Sequence, residues 1–186
     1  LSRPQIGAKL KEHETRGAEI MIVLDVSNSM LAEDYSPNRL ERAKLAISRL
    51  VDKLRDDRIG LIVFAGNSFV QLPITTDYVS AKMFLNSIST GSVPVQGTAI
   101  GDAINTAMRS FSVQSEKSRA IIIITDGENH EGGALEAAKE AAEKNMQVFI
   151  LGIGSPDGSP IPITRGSNDF RKDKDGNVIV TRLNEQ

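Results

Sequence analysis

The chain has 186 residues, no cysteine, a formal net charge of −2 and a pI of about 5.8. This length suits one domain with a sizeable core. The lack of cysteine excludes disulfides and thiolate chemistry, and the absence of a concentrated basic face argues against general nucleic-acid binding. No apolar stretch approaches the roughly 20 residues that a membrane-spanning helix needs.

The first predicted element is a buried strand, Ile20-Met21-Ile22-Val23-Leu24, because both of its faces are apolar. The strand leads into Asp25, and a spacing of two along an extended segment places Asp25, Ser27 and Ser29 on one side of the chain. One carboxylate and two hydroxyls are hard oxygen ligands, which suit Mg²⁺ better than zinc or copper. The alternative is a Ser/Asn turn whose aspartate caps the next helix.

Beyond this loop, the periodicity of apolar residues predicts alternating helices and strands. Ser36-Pro37 is predicted to cap a first helix that extends to Leu54. Strands at 58–65 and 69–72 follow in close succession, which indicates a hairpin and therefore an antiparallel edge strand. Further helices are predicted at 77–88, 100–111 and 133–144, and further strands at 121–124 and 147–153. This order predicts an α/β fold with a mostly parallel sheet.

Two later segments add oxygen ligands. Thr98 stands at the start of a helical pattern, directly after Gly97, whose lack of a side chain permits a close backbone approach. Asp126 follows the apolar strand at 121–124. In an open parallel sheet, the loops at the carboxyl ends of neighbouring strands converge on one crevice. The side chains predicted to surround one cation there are Asp25, Ser27, Ser29, Thr98 and Asp126.

This set of five, in this order, resembles the metal-ion-dependent adhesion site (MIDAS) of the von Willebrand factor type A (VWA) family. The resemblance implies a Rossmann-like VWA fold, with helices on both faces of the sheet, and Mg²⁺ as the ion, with Mn²⁺ or Ca²⁺ as other candidates. In that family the serines and the threonine bind the ion directly, and the aspartates act largely through water. Because neutral hydroxyls leave the ion short of negative charge, an acidic residue of a partner protein can complete its coordination. The implied function is binding rather than catalysis.

Segments along the chain also resemble Bat-type aerotolerance-related membrane proteins, among them Arg3-Pro4-Gln5, Val63-Phe64-Ala65-Gly66 and Gln71-Leu72-Pro73-Ile74-Thr75. This resemblance implies that 1–17 is a linker after a transmembrane helix and that 18–186 is a VWA domain without its final helix and strand. It further implies an inner-membrane protein with the domain on the periplasmic side. The implied partners are another Bat-type membrane protein and, through a functional link, a MoxR-type AAA+ ATPase.

The C-terminal part, about 156–182, is predicted to be an excursion from the sheet that contains a β-hairpin. Asp175-Gly176 between two strand-like segments is typical of a two-residue type I′ turn. Asp173, Asp175 and Asn177 also resemble the start of a calcium loop. An EF-hand needs glycine at its sixth position and glutamate at its twelfth. Here the glycine stands at the fourth position and an asparagine at the twelfth, so the hairpin is favoured.

Four further residues are candidates near the site. Asp102 follows Thr98 by one helical turn and is either a hydrogen-bond partner of the ligands or a first-turn carboxylate stabilised by the helix dipole. Glu33 and Tyr35 follow the metal loop and are candidates for a partner surface, with simple exposure as the alternative. His130 is a candidate contact to a partner, or a solvated loop residue.

Two alternatives to a binding device stay open. An aspartate after the first strand, together with Mg²⁺, is also typical of phosphatase-like hydrolases of the haloacid dehalogenase type. Those enzymes need a second aspartate where Ser27 stands, and the chain has neither a P-loop nor a Ser-His-Asp order. The other alternative is a scaffold with a vestigial site, against which the five intact ligands argue.

Overall fold

A computed structural model of the chain describes residues 17–128 and 132–183. The strands in these ranges are β1 (Glu19–Asp25), β2 (Arg58–Phe64), β3 (Ser68–Thr75), β4 (Arg119–Thr125), β5 (Met146–Gly152), β6 (Ser159–Pro160) and β7 (Val180–Thr181). The helices are α1 (Arg39–Val51), α2 (Tyr78–Ser87), α3 (Ile100–Ser110) and α4 (Ala134–Glu143), with 3₁₀ helices at Asn28–Leu31 and Thr90–Ser92. Up to β5, this is the predicted order of elements.

Five strands form one sheet in the order β3-β2-β1-β4-β5. Strand β1 is parallel to both β2 and β4, and β4 is parallel to β5, whereas β3 is antiparallel to β2. The predicted mostly parallel sheet with one antiparallel edge strand is confirmed. The chain leaves β1 toward β2 and later returns to its other side at β4. Such a switch point opens a crevice at the carboxyl ends of the two strands.

The central strand β1 is buried on both faces. Ile22 and Leu24 belong to an apolar cluster that includes residues of α1 and α2, whereas Met21 and Val23 belong to a second cluster with residues of α3 and α4. Because side chains alternate along a strand, each cluster occupies one face of the sheet. Helices therefore cover both faces, as expected, and the double burial explains why the strand is a continuous apolar run.

Helix α1 begins later than predicted. The predicted cap at Ser36-Pro37 is wrong, because Asn38 is the N-cap: its side chain accepts a hydrogen bond from the backbone N–H of Glu41 at 2.8 Å. Asparagine satisfies a free N–H of the first turn as well as serine does. The predicted start of α2 is confirmed, since Asp77 caps it by accepting the N–H of Ser80 at 2.9 Å.

The excursion after β5 contains an antiparallel pairing around Asp175-Gly176, as predicted, in which Lys172 pairs with Val178. It also contains a pairing that the sequence did not predict, since β6 is antiparallel to β7. The turn of the first pairing differs from the predicted type I′, which needs positive φ at both central residues, because only Gly176 of Asp175-Gly176 has positive φ, at 85°. The N–H of Asp173 donates to the carbonyl of Asn177 at 2.9 Å, which leaves a three-residue loop with a glycine bulge. The Asp173 carboxylate favours this loop by accepting the N–H groups of Asp175 and Asn177, each at 2.9 Å.

The described chain enters the sheet at the edge opposite to the switch-point crevice. Ala18, directly before β1, donates its N–H to Asp57 Oδ1 at 2.7 Å. The boundary between the linker at 1–17 and the domain stays a prediction, since 1–16 lie outside the described residues. Within the described ranges, every helix is too short or too polar to span a bilayer.

Candidate metal centre

The turn after β1 is built on the carboxylate of Asp25. Its Oδ1 accepts the N–H of Ser27 at 2.8 Å, and its Oδ2 accepts the hydroxyl of Thr125 at 2.7 Å. An aspartate that bonds to the backbone two residues on fixes a local turn, and the chain passes directly into the 3₁₀ helix Asn28–Leu31. The hydroxyl oxygens of Ser27 and Ser29 then lie 2.9 Å apart. The two serines therefore converge as the spacing predicts.

Thr98 is brought to the same region by the loop between the second 3₁₀ helix and α3. The N–H of Ala99 donates to the carbonyl of Ala65 at 2.8 Å, which holds this loop against the carboxyl end of β2. Gly97 has φ of 142°, a backbone conformation that residues with a side chain rarely adopt. The glycine thus allows the chain to turn just before Thr98, which is only 2% exposed.

The three hydroxyl residues border one cavity of about 170 Å³ at the carboxyl edge of the sheet. Its lining also includes Gln96, Glu128 and Ile161, three residues that the sequence did not identify. Asp25 and Asp126 are fully buried and are not part of this lining. The structure thus places three hydroxyls at the cavity and the two predicted carboxylates behind them.

The two aspartates form a buried pair of like charges. Burial and, to a smaller extent, the charge of Asp126 raise the pKa of Asp25 to about 7, against hydrogen bonds from Ser27 and Thr125 that lower it. Burial likewise raises the pKa of Asp126, although the Ser29 hydroxyl and other donors oppose the rise. Two such carboxylates favour either a retained proton or a nearby cation. The electrostatics of the pair therefore suit a cation site.

Arg39, the first residue of α1, is completely buried beside this pair and was missed from the sequence. Its Nη1 donates to Asp126 Oδ2 at 3.1 Å, while its Nε and Nη2 donate to the carboxylate of Asp34 at 2.9 and 2.7 Å. The spacing of residues in the helix does indicate that Arg39 is buried. Arg39, Ala43 and Ile47 recur every four residues and so share the buried face of α1. A charged residue on such a face needs a buried partner.

The further candidates that the structure describes lie outside the cavity lining. Asp102 accepts the N–H of Ser68 at 3.1 Å, and so ties α3 to the start of β3 rather than to the candidate ligands. Glu33 accepts the N–H of Gly166 at 2.8 Å from the excursion. Tyr35 is 41% exposed. His130 lies outside the described residues, so its contact with a partner stays a prediction.

The donor set fits a hard divalent cation. All five predicted ligands offer oxygen, which Mg²⁺ and Ca²⁺ prefer, and none offers sulfur or nitrogen. Among the residues that the structure describes, no three His, Cys, Asp or Glu side chains form a group that could hold a metal ion. A cation here would therefore depend on the hydroxyls of Ser27, Ser29 and Thr98 as well as on carboxylates.

The described geometry is that of a known domain family. A family model described as von Willebrand factor type A domain matches residues 20–129 of the chain. The match covers more than half of the chain. The chain belongs to the von Willebrand factor type A family, whose members commonly mediate protein–protein interactions and in some cases carry a MIDAS.

Within that family, the predicted resemblance to Bat-type proteins is confirmed. The chain is 66% identical to a conserved hypothetical protein, BatB, from Bacteroides thetaiotaomicron, whose structure has a TM-score of 0.88 over 91% of this chain and 82% of that chain. It is 64% identical to an aerotolerance-related membrane protein from Bacteroides fragilis, with a TM-score of 0.87 over 91% of this chain and 83% of that chain.

Other similarities are more distant. An uncharacterized protein of Borreliella burgdorferi is 31% identical over 91% of this chain and 50% of its own length, so the chain spans about half the length of the curated relatives that it matches. Proximal thread matrix protein 1 from the mussel byssus, solved with a zinc-occupied MIDAS motif, is 20% identical, with a TM-score of 0.66 over 76% of this chain and 37% of that chain. At that identity the likeness shows the fold alone.

Proposed function

We propose that this chain is a metal-dependent protein-interaction domain of a membrane-anchored Bat-type protein. Ser27, Ser29 and Thr98 would hold Mg²⁺, or alternatively Mn²⁺ or Ca²⁺, with Asp25 and Asp126 behind them. An acidic side chain of a partner protein would complete the coordination. The observation that carries the proposal is the convergence of three hydroxyls on one cavity in front of two buried carboxylates.

The charge balance favours an external carboxylate as the missing ligand. The hydroxyls of Ser27, Ser29 and Thr98 are neutral, so these three ligands compensate the charge of the ion only weakly. Arg39, which does not line the cavity, neutralises part of the charge of Asp126. An ion whose direct ligands on the cavity side are neutral attracts a carboxylate from that side. The zinc-occupied MIDAS of the mussel protein supports the view that this fold can hold a divalent ion at such a site.

The proposal includes an orientation relative to the inner membrane. Ala18 leads into the amino end of β1, whereas the cavity lies at the carboxyl edge of the sheet. An anchor before residue 17 would therefore leave the cavity facing away from the bilayer. The resemblance to Bat-type proteins implies that this side is the periplasm. The related Bacteroides fragilis protein is named a membrane protein, which supports an anchor. The partner that we propose is another Bat-type membrane protein, and a cytosolic MoxR-type ATPase would be linked in function rather than by contact.

The proposed function is tested by cross-linking in intact cells that express the full-length protein, with Mg²⁺ or with a chelator. We expect one partner to be captured with Mg²⁺ and lost with the chelator. Capture should also be lost in Ser27→Ala with Ser29→Ala, and kept in the matched control Ser87→Ala with Ser115→Ala, which lies away from the cavity. Changing the partner's acidic residues to amides one at a time should identify the one that binds the ion.

Three other results would contradict this function. Capture that is equal with and without the chelator would show that the interaction does not use a metal. Mg²⁺-dependent hydrolysis of a phosphate ester by the purified chain, lost in Asp25→Asn, would instead establish the hydrolase alternative. Calorimetry that detects no divalent ion at all would point to the vestigial scaffold.

A further inference from the structure

A closed ring of hydrogen bonds joins the candidate metal centre to the C-terminal hairpin, which we define as residues 159–181. Arg39 Nη1 donates to Asp126 Oδ2 at 3.1 Å and to Thr181 Oγ1 at 3.0 Å. The hydroxyl of Thr181 donates to Glu128 Oε1 at 2.6 Å. The N–H of Glu128 donates to Asp126 Oδ1 at 3.3 Å, which closes the ring. A strand of the hairpin is thus two hydrogen bonds away from a predicted metal ligand.

Three of the four residues of the ring are buried, and the guanidinium of Arg39 is held from several sides. The side chains of Arg39 and Asp126 have no exposed surface, and Thr181 is 1% exposed. The carbonyl of Thr181 accepts a further bond from Arg39 Nη2 at 3.2 Å. Asp34, which binds the guanidinium on its other side, also accepts the N–H of Ser155 at 2.7 Å. Arg39 therefore connects Asp126 to both ends of the excursion, and losing one buried partner in such a network is costly.

The hairpin also forms part of the cavity itself. Ile161 lines the cavity beside Ser27 and Ser29, and Glu128 lines it from the loop after β4. Glu128 accepts the N–H of Arg182 at 3.0 Å in addition to the hydroxyl of Thr181. The docked hairpin therefore supplies one wall of the cavity through Ile161. It also holds the side chain of Glu128, which forms part of a second wall.

We infer that Arg39 and Thr181 are positioning residues for the metal centre, which couple metal binding to the docking of the hairpin. The inference rests on the proposed metal-binding function. Arg39 holds the Asp126 carboxylate in one orientation, and Thr181 holds the guanidinium in place. A ligand that is already ordered loses less freedom when a cation binds. Because coupling between two equilibria is reciprocal, bound metal must favour the docked hairpin by the same factor.

The experiment compares Thr181→Val, which keeps the shape and removes the hydroxyl, with the control Thr164→Val. Thr164 is an exposed threonine of the same hairpin. Calorimetry measures the Mg²⁺ and Mn²⁺ affinity of each protein. Hydrogen exchange, with and without Mg²⁺, follows two hairpin amides, those of Arg171 and Ile179, which donate to backbone carbonyls at 2.8 and 2.9 Å.

We expect Thr181→Val to weaken metal affinity by about 10-fold or more, as is typical when a group that orients a ligand is lost. Mg²⁺ should slow exchange of the hairpin amides in the parent and in Thr164→Val, and much less in Thr181→Val. Arg39→Lys keeps the charge but cannot reach Asp34, Asp126 and Thr181 together, so it should weaken affinity similarly. If that variant does not fold, the isosteric Thr181→Val still decides.

Two outcomes overturn the coupling while the parent binds metal. One is parent-like affinity in Thr181→Val. The other is weaker affinity without any change in the protection that Mg²⁺ gives to the hairpin amides, which would make the role of Thr181 merely structural. A parent chain that binds no divalent ion overturns the proposed function and this inference with it, so the two failures are distinguishable.

Discussion

The buried carboxyl group of Asp25 makes the stability of the fold depend on pH. Burial raises its pKa from 3.8 to about 7, so in this pH range the folded protein keeps a proton that the unfolded chain has released. The free energy that this group contributes to stability is therefore full below about pH 4 and is lost as pH rises to about 7. A bound cation would reverse this effect, because it favours the ionised carboxylate.

We predict that this loss is visible in the metal-free protein. In a chelator, urea unfolding of the parent and of Asp25→Asn should diverge between pH 4 and pH 8, because the amide does not titrate. As pH rises, the parent should lose stability relative to Asp25→Asn, by an amount on the order of a few kcal/mol in the free energy of unfolding. A difference that stays constant with pH would contradict the raised pKa of Asp25.

The matched control for this experiment is Asp77→Asn. Asp77 is an exposed helix cap, and the hydrogen bonds from Ser80 lower its pKa. A lowered pKa contributes stability at neutral pH that is lost as pH falls through the acid range. The difference in free energy of unfolding between the parent and Asp77→Asn should therefore change with pH in the opposite direction to the difference between the parent and Asp25→Asn. This contrast distinguishes the effect of the buried carboxyl group from general acid denaturation.

The cap of α1 gives a prediction at the level of one element. Asn38→Ala should lower the free energy of unfolding by about 1 kcal/mol, because the Glu41 N–H loses its acceptor. Ser36→Ala should change it by less than about 0.5 kcal/mol, since Ser36 does not cap the helix. Chemical unfolding of both variants measures this, and a larger loss in Ser36→Ala would restore the cap expected from the sequence.

Helices and strands are the part of this fold that the sequence predicts well. Up to β5, each α-helix and strand lies within three residues of its predicted bounds, whereas the two 3₁₀ helices were not predicted. The reason is physical: β1 and β4 are buried on both faces and appear as apolar runs, and α1 shows a helical stripe. The cap at Asn38 and the bulge at Gly176 were missed, because several residues nearby can serve and only the local hydrogen bonds select one.

The sequence predicts the hydroxyl ligands of the candidate site but not the residues that support them. Ser27 and Ser29 follow from a spacing of two after a strand, which is local information. Arg39 and Thr181 are 142 residues apart in sequence, and only the packed fold brings them together. The coupling between the hairpin and Asp126 therefore could not be predicted from the sequence.

The orientation of the whole molecule can be tested in cells. The full-length protein is expected to fractionate with the inner membrane, and its VWA domain should be cut by protease added to spheroplasts. The entry of the chain at the end of the sheet opposite to the cavity suits an N-terminal anchor, and the expectation of the periplasmic side follows from the resemblance to Bat-type membrane proteins. Protection of the domain in spheroplasts, with cleavage only after lysis, would place it in the cytosol and contradict this topology.

The domain as a whole should fold without the metal ion. Two apolar clusters, one on each face of the sheet, form the core without contributions from the predicted ligands. Bound Mg²⁺ adds only its linkage free energy, about 2.7 kcal/mol at 100 times its Kd. For a domain of this size that corresponds to less than roughly 10 °C in melting temperature.

We therefore predict that chelation abolishes partner binding and shifts the melting temperature of the isolated domain only modestly. Calorimetric melting with Mg²⁺ and with a chelator measures the shift. Ser27→Ala with Ser29→Ala should melt close to the chelated parent and should not respond to Mg²⁺, whereas Ser87→Ala with Ser115→Ala should respond like the parent. If chelation or the site substitutions instead collapse the domain while the interaction with the partner tolerates a chelator, the ion is structural. The neutral hydroxyls would then serve the core rather than a partner's carboxylate.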